Sequence, residues 1–257
     1  MPSTLPTRRL GGLRVIVATR KAFAVQMVDD WRTLKASSPN NPPKLSFSAN
    51  GELISKNASD PHLATLLSEA DTIDADGQPM VLFSRLMPGP SLPERIATTD
   101  FFHDAADASQ DHGMRFFLLG ASEPVIENAV TNIRTKYPKL EIAGFRDGYF
   151  SDDDFDSIIQ EIKEARPDIL WVGMGTPRQH EFAVRARDHL TGITWIKTCG
   201  GLFDFLSGRN SRAPNWMQAS GLEWLYRMAL EPRRLFWRYL TTNFHAAYLL
   251  LARSGRD

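Results

Sequence analysis

A carboxylate that ends an apolar run beside a glycine is placed to meet a ligand, and Asp76, in Asp74-Ala-Asp-Gly-Gln-Pro, is such a residue. At a strand exit it could act as general base toward an attacking hydroxyl that lies within hydrogen-bonding reach. The plain alternative is an Asp-Gly turn that satisfies its own backbone, and spacing alone favours that alternative. Gly173-Met-Gly-Thr-Pro-Arg-Gln is a second signal: it sets Gly173, Gly175, Thr176 and Pro177 before a helix. Backbone N–H groups would then face a crevice as an anion site, with the Gln179 amide beside them. Thr198-Cys-Gly-Gly-Leu-Phe-Asp supplies a third turn through Gly200 and Gly201. Its Asp204 lies between Phe203 and Phe205, where a carboxylate either organises the ligand turn or takes a partner, for which Arg212 is the candidate. The tail interleaves Arg227, Arg233, Arg234 and Arg238 with Trp224, Tyr226, Phe236, Trp237, Tyr239, Phe244 and Tyr248. Guanidinium groups suit lipid or diphosphate oxygens, while the aromatics suit either a headgroup zone or packing on the body.

Other chemistries lack their signatures. There is no Gly-Lys-Ser/Thr phosphate loop and no three-glycine dinucleotide fingerprint, which disfavours NTP hydrolysis and NAD chemistry. His62, His103, His112, His180, His189 and His245 show no ligand spacing, so no metal is expected. No Gly-x-Ser-x-Gly elbow supports a hydrolase. The single Cys199 excludes an intramolecular disulfide and a cysteine-only zinc site, and it fits a reducing compartment. Thirty Lys+Arg balance thirty Asp+Glu, so no net field attracts nucleic acid. The N-terminus lacks the apolar core of a signal peptide, and no run reaches the roughly 20 apolar residues of a spanning helix. The expected location is cytoplasmic, with any membrane contact peripheral.

The elements that would position these residues alternate. Apolar runs predict strands at Leu13–Ala18, Leu45–Ser48, Asp71–Ala75, Met114–Gly120, Leu140–Ala143, Asp168–Gly175 and Thr194–Cys199. Helices are expected from Phe23 to Leu34, from Asp60 to Leu67, from Glu123 to Lys136 behind Ser122, from Asp152 to Ala165 and from Pro177 to Leu190. This order predicts an α/β, Rossmann-like, mostly parallel sheet with helices on both faces and a C-terminal helical appendage. The reading divides the chain into an α/β domain, residues 1–219, and a basic, aromatic appendage, residues 220–257. Ligands of such sheets sit beyond the carboxyl ends of the strands. The exits are Ser48/Asn50, Asp76/Gly77, Gly120/Ala121, Gly148/Tyr149, Gly173/Gly175 and Gly200/Gly201/Asp204. Glycine ends strands in any α/β fold, but its recurrence along one edge points to a nucleotide site.

An ordered series of motifs carries a resemblance. Ala75-Asp-Gly-Gln-Pro, Leu118-Leu-Gly-Ala, Gly148-Tyr-Phe, Val172-Gly-Met-Gly-Thr-Pro-Arg-Gln, Gly200-Gly-Leu-Phe-Asp-Phe-Leu-Ser-Gly, Arg212-Ala-Pro-Asn-Trp-Met-Gln and Gly221-Leu-Glu-Trp-Leu-Tyr-Arg with Glu231-Pro-Arg-Arg resemble the WecG/TagA/CpsF glycosyltransferases, family 26. The resemblance implies an inverting, metal-independent bacterial enzyme without a cofactor. It would move a sugar from a UDP-sugar to a polyprenyl-diphosphate-linked saccharide on the cytoplasmic membrane face, in cell-surface polysaccharide or exopolysaccharide synthesis. It makes Asp76 the catalytic base, with Ser48 and Asn50 beside it. The glycine turns at Gly120, Gly148 with Tyr149, Gly173, Gly175, Gly200 and Gly201, together with Thr176, Pro177, Gln179 and Asp204, would line the UDP-sugar site. Arg212, Arg227, Arg233, Arg234 and Arg238 would meet acceptor and diphosphate. Ser48-Ala49 stands where the family has Thr-Pro, and His180 follows Gln179 where an acidic residue is common. The donor sugar stays open, as does assembly into a homo-oligomer. The rival readings are a nucleotide-sugar-binding regulatory protein without turnover and an NAD-dependent oxidoreductase.

Overall fold

The computed structural model describes residues 5–37, 40–220, 222–230 and 232–255. It begins with a two-stranded antiparallel hairpin, β1 (Thr7–Leu10) and β2 (Leu13–Ile16). The connecting Gly11 and Gly12 have φ of 58° and 88°, the backbone that a two-residue hairpin loop with both central residues at positive φ requires. The expected strand at Leu13 therefore exists but belongs to a separate hairpin, a pairing that Gly11-Gly12 could have signalled.

After α1 (Arg20–Ser37) come β3 (Lys44–Ala49), α2 (Gly51–Ser59), α3 (Pro61–Ser68), β4 (Thr72–Ala75), α4 (Gln78–Leu86) and α5 (Thr98–Gln110). The sequence reading has no counterpart for α2, α4 or α5. Asn50, read as the end of a strand, caps α2 by accepting from Leu53 N at 3.1 Å. Asp60 caps α3 in the same way through His62 N and Leu63 N. Regular alternation follows: β5 (Arg115–Gly120), α6 (Glu123–Lys136), β6 (Glu141–Arg146), α7 (Phe155–Ala165), β7 (Ile169–Gly173), α8 (Arg178–Arg187) and β8 (Trp195–Thr198). The expected helix from Asp152 opens as a 3-10 turn, closed by a capping box between Ser151 and Asp154, and α7 starts at Phe155. The chain ends in α9 (Leu202–Leu206), α10 (Asn215–Ala219), α11 (Glu223–Leu230) and α12 (Pro232–Ala252).

The six main strands form a parallel sheet in the order β4-β3-β8-β7-β5-β6. Helices cover both faces, which is the Rossmann-like α/β architecture. Alternating residues of β5 and β7 feed different cores: Phe117, Leu119, Leu170 and Val172 face one, Phe116, Leu118, Ile169 and Trp171 the other. The first core is closed by α2, α3, α7 and α8, the second by α1, α5, α6 and α9. Toward β4 the second face turns polar, because Ser46, Ser48, Thr72, Asp74 and Lys197 replace apolar residues there. The far end of α12 joins the first core through Ala246, Leu249 and Leu250. Gly255 bridges back to Arg9, so the segment after α12 meets the initial hairpin there.

Candidate active site at the strand exits

The residues expected at the strand exits lie along the carboxyl edge of the sheet. At its β3–β4 end, Ser48 and Asp74 are direct partners in register, which sets Asn50 and Asp76 side by side just beyond the strands. The Asp76 amide donates to Ala49 O at 2.8 Å, anchoring the turn. The Asp76 side chain is half-buried, and its Oδ1 accepts from the Thr98 amide at 3.3 Å. Thr98 opens α5, and its hydroxyl donates to Ser48 Oγ at 2.9 Å, so one residue touches both Ser48 and Asp76.

The other end of the edge is a stack of glycines. A Cβ on Gly120 would come 2.2 Å from Gly173 O, one on Gly173 2.8 Å from Gly200 O, and one on Gly148 3.0 Å from Gly120 Cα. Neighbouring exits therefore pack directly on each other's backbone, and packing alone accounts for glycine at these positions. Gly175 and Gly200 differ: their φ of 75° and 54° demand glycine, yet a Cβ on either would meet nothing within 4 Å. These two line open space.

The turn before α8 uses its own amides more than expected. Gln179 N donates to Gly175 O at 2.9 Å and His180 N to Pro177 O at 2.8 Å, so those two groups do not face the crevice. The Thr176–Pro177 peptide is cis. The Gln179 side chain is buried and its Oε1 accepts from Gly200 N at 3.0 Å, bracing one glycine turn against the other. Arg178 ties the same turn to the β6 exit by donating to Phe150 O and stacking on the Phe150 ring. Tyr149, on that exit, is exposed. His180 is fully buried, its ring edge-on to Phe47 at 4.9 Å. Burial holds its imidazole neutral, with the pKa lowered to about 4.

The expected pairing of Asp204 with Arg212 does not form. Asp204 meets Arg209 at 3.4 Å, at the surface. Arg212 instead bonds Thr99 and Asp100, the latter at 2.9 Å, at the start of α5, together with Glu223 of α11 at 2.9 Å and Gln218 of α10. Lone pairing within one loop loses to a denser set of carboxylates: Asp100 also meets Arg20 at 3.4 Å and Arg95 at 3.9 Å, and Arg95 meets Glu223 at 2.7 Å. Burial raises the Asp100 carboxyl, but the hydrogen bond and charge of Arg212, with Arg20 and Arg95, outweigh it and hold Asp100 below the usual carboxylate range. This network fastens α10 and α11 beside the Asp76 turn. The side chains of Arg227, Arg233, Arg234 and Arg238 lie outside the described residues.

Near the site, Arg95, Lys197, the role of Asp74 and the contacts of Thr98 escaped the sequence reading. Lys197 had a signal, since a lysine inside the buried run Trp195-Ile-Lys-Thr requires a carboxylate nearby, and Asp74 in Thr72-Ile-Asp-Ala is the matching anomaly. Among the described residues no three His, Cys, Asp or Glu side chains are grouped as metal ligands, and no helix is long and apolar enough to cross a membrane.

The model of the Glycosyl transferase WecG/TagA/CpsF family matches residues 9–257. The chain is 38% identical over 169 residues to an N-acetylglucosaminyldiphosphoundecaprenol N-acetyl-beta-D-mannosaminyltransferase of Bacillus subtilis (strain 168), a match covering 66% of this chain and 64% of that protein. A protein of the same name from Bacillus spizizenii is 35% identical over 190 residues, 74% of this chain and 72% of its own length. One from Staphylococcus aureus (strain NCTC 8325 / PS 47) is 28% identical over 211 residues, covering 82% and 81%. The first of these matches spans a little under two thirds of the relative it aligns with.

Proposed function

The chain belongs to the WecG/TagA/CpsF family of glycosyl transferases, and on that premise we propose that it moves a sugar from a UDP-sugar to a polyprenyl-diphosphate-linked saccharide. The names of the relatives suggest N-acetylglucosamine on undecaprenyl diphosphate as the acceptor. The product would enter a bacterial cell-surface polysaccharide or exopolysaccharide.

One observation carries the reading: the half-buried carboxylate of Asp76 stands at a strand exit beside Asn50 and Ser48, on the same edge as the open turns of Gly175 and Gly200. In the proposed step the acceptor hydroxyl attacks the anomeric carbon, and its proton passes to Asp76. The bond from that carbon to the UDP oxygen breaks as the new one forms, UDP leaves with the electron pair, and the configuration inverts. The amides of the glycine turns and the arginines would stabilise the leaving diphosphate, with Arg227, Arg233, Arg234 and Arg238 supplied by the tail. Arg212 is already paired with Asp100 and Glu223, so it would reach a diphosphate only by exchanging a carboxylate for it.

The reading includes peripheral attachment to the cytoplasmic face of the membrane. Trp237, Phe244, Tyr248 and Leu251 are 69%, 74%, 64% and 55% exposed. Their spacing places all four on one side of α12, opposite the buried Thr242, Ala246, Leu249 and Leu250. An apolar stripe next to arginines suits the headgroup zone. The test is a screen of UDP-sugars against short-chain polyprenyl-diphosphate sugars, read by mass spectrometry. A new species heavier by one sugar, with release of UDP, is expected. Binding of UDP without product from any donor would refute transfer and favour a regulatory binding protein.

A further inference from the structure

An ion pair is sealed beneath the Asp76 turn. The side chains of Lys197 and Asp74 are both 0% exposed, and Lys197 Nζ donates to Asp74 Oδ1 at 2.5 Å and to Ser48 Oγ at 2.7 Å. The three residues come from adjacent strands, β8, β4 and β3. Lys197 pairs in register with Ser46, whereas Asp74 pairs with Ser48, so the ammonium reaches toward the carboxyl edge to meet them. It lies 5.9 Å from the ring centroids of both Phe23 and Phe101.

Burying two ions is costly, and apolar residues of similar volume commonly hold a core as well or better. The other face of the same strands shows that solution, with Phe47, Ala75 and Ile196 in the core. The pair does something that apolar residues could not: it supplies a fixed donor to Ser48. With Lys197 and the Thr98 hydroxyl both donating to it, the Ser48 oxygen keeps only its proton to give, to Asp74 or to a ligand oxygen. Thr98 in turn holds Asp76 through its amide.

We propose that Lys197, neutralised by Asp74, is a positioning residue that sets the Ser48 hydroxyl and, through Thr98, the Asp76 carboxylate for reaction. The inference rests on the reading of Asp76 and Ser48 as groups at the reacting centre. It predicts that the pair affects turnover and leaves donor binding alone, because the glycine turns that would hold UDP lie elsewhere on the edge.

The experiment compares wild type, Lys197→Met with Asp74→Asn, Ser48→Ala and the triple variant. It measures kcat and KM for the UDP-sugar and counts folded sites by UDP titration. The paired variant should bind UDP at full stoichiometry with KM within about twofold, while kcat falls about tenfold, as for one lost charge-assisted hydrogen bond. The triple variant should be no slower than Ser48→Ala, since the pair acts through that hydroxyl. A paired variant with parental kcat per UDP site would overturn the proposal, as would losses that multiply in the triple variant. Should the paired variant not fold, Thr98→Val removes the hydroxyl that joins Ser48 to the Asp76 turn with little change of volume, and unaltered kcat there would also overturn the proposal. Asp76→Asn is run alongside: an inactive wild type refutes glycosyl transfer itself, whereas an active wild type, a dead Asp76→Asn and an unaffected pair refute only this inference.

Discussion

Two glycines on the same edge should respond differently to one added methyl group. Gly120 has φ of 148°, and a Cβ there would lie 2.2 Å from Gly173 O. Holding a non-glycine residue at such a φ costs on the order of 1–3 kcal/mol. A carbon normally approaches a carbonyl oxygen no closer than about 3.3 Å, so the β5 and β7 exits would have to part by about 1 Å. Gly173 cannot retreat freely, because a Cβ on it would itself lie 2.8 Å from Gly200 O and 2.9 Å from the Phe203 ring. Parting the exits also threatens the Ala121 N to Gly173 O hydrogen bond, 3.2 Å long, worth about 1 kcal/mol. Gly120→Ala should therefore lose about 3–5 kcal/mol, near 10 °C in Tm for a chain of this size. Gly175, with φ of 75° and nothing within 4 Å of a Cβ, bears only the backbone cost of about 1–2 kcal/mol, a few degrees. Urea unfolding and thermal melts of the full chain measure both, and UDP binding adds the functional half: Gly175→Ala should weaken it despite costing less stability than Gly120→Ala. If Gly120→Ala were as stable as Gly175→Ala, the stacked-glycine account of this edge would be wrong.

Asp76→Asn should leave UDP binding nearly intact and lower turnover by on the order of 10² to 10⁴; near-parental turnover would remove Asp76 from the mechanism. Activity should survive excess EDTA, since charge neutralisation is assigned to protein groups; loss on chelation with recovery on adding Mg²⁺ or Mn²⁺ would reverse that assignment. Replacing Trp237, Phe244 and Tyr248 by serine should abolish co-sedimentation with anionic liposomes and keep the fold, and equal pelleting would remove the membrane role from α12. Ending the chain after Ala219 is the poorer probe, because it strips Ala246, Leu249 and Leu250 from the core. His180, with its pKa lowered from 6.5 to about 4, stays neutral in the fold while the unfolded chain takes up its proton below pH 6.5. Its share of stability is thus complete above pH 6.5 and drains away as pH falls toward 4, by about 3 kcal/mol. His180→Phe should flatten that part of the stability curve, and parallel curves for variant and parent would refute the assignment.

Local chemistry was legible wherever it depends on residues close in sequence. Apolar runs such as Phe116–Leu119 and Leu170–Val172 are buried on both faces of a parallel sheet, and that burial shows as unbroken hydrophobicity. Ser122 ahead of Glu123-Pro marked the start of α6: Ser122 takes the N-cap position with extended backbone although its hydroxyl makes no cap hydrogen bond, and the proline in the first turn is a local requirement. Alternation of these elements was enough to predict the α/β architecture and the edge on which Asp76, Gly175 and Gly200 lie.

Tertiary structure decided which residues meet across that edge. Arg212 bonds Asp100, 112 residues away, and Lys197 bonds Asp74, 123 residues away, because the strand order and the docking of α10 and α11 bring them together. No spacing rule encodes such pairings: a guanidinium or ammonium takes the carboxylates that the packed backbone offers it. The same holds for the glycines. Sequence marks where a Cβ is missing, but only the distance from Gly120 to the carbonyl of Gly173, set against the open space at Gly175, separates a glycine needed for packing from one available to a ligand.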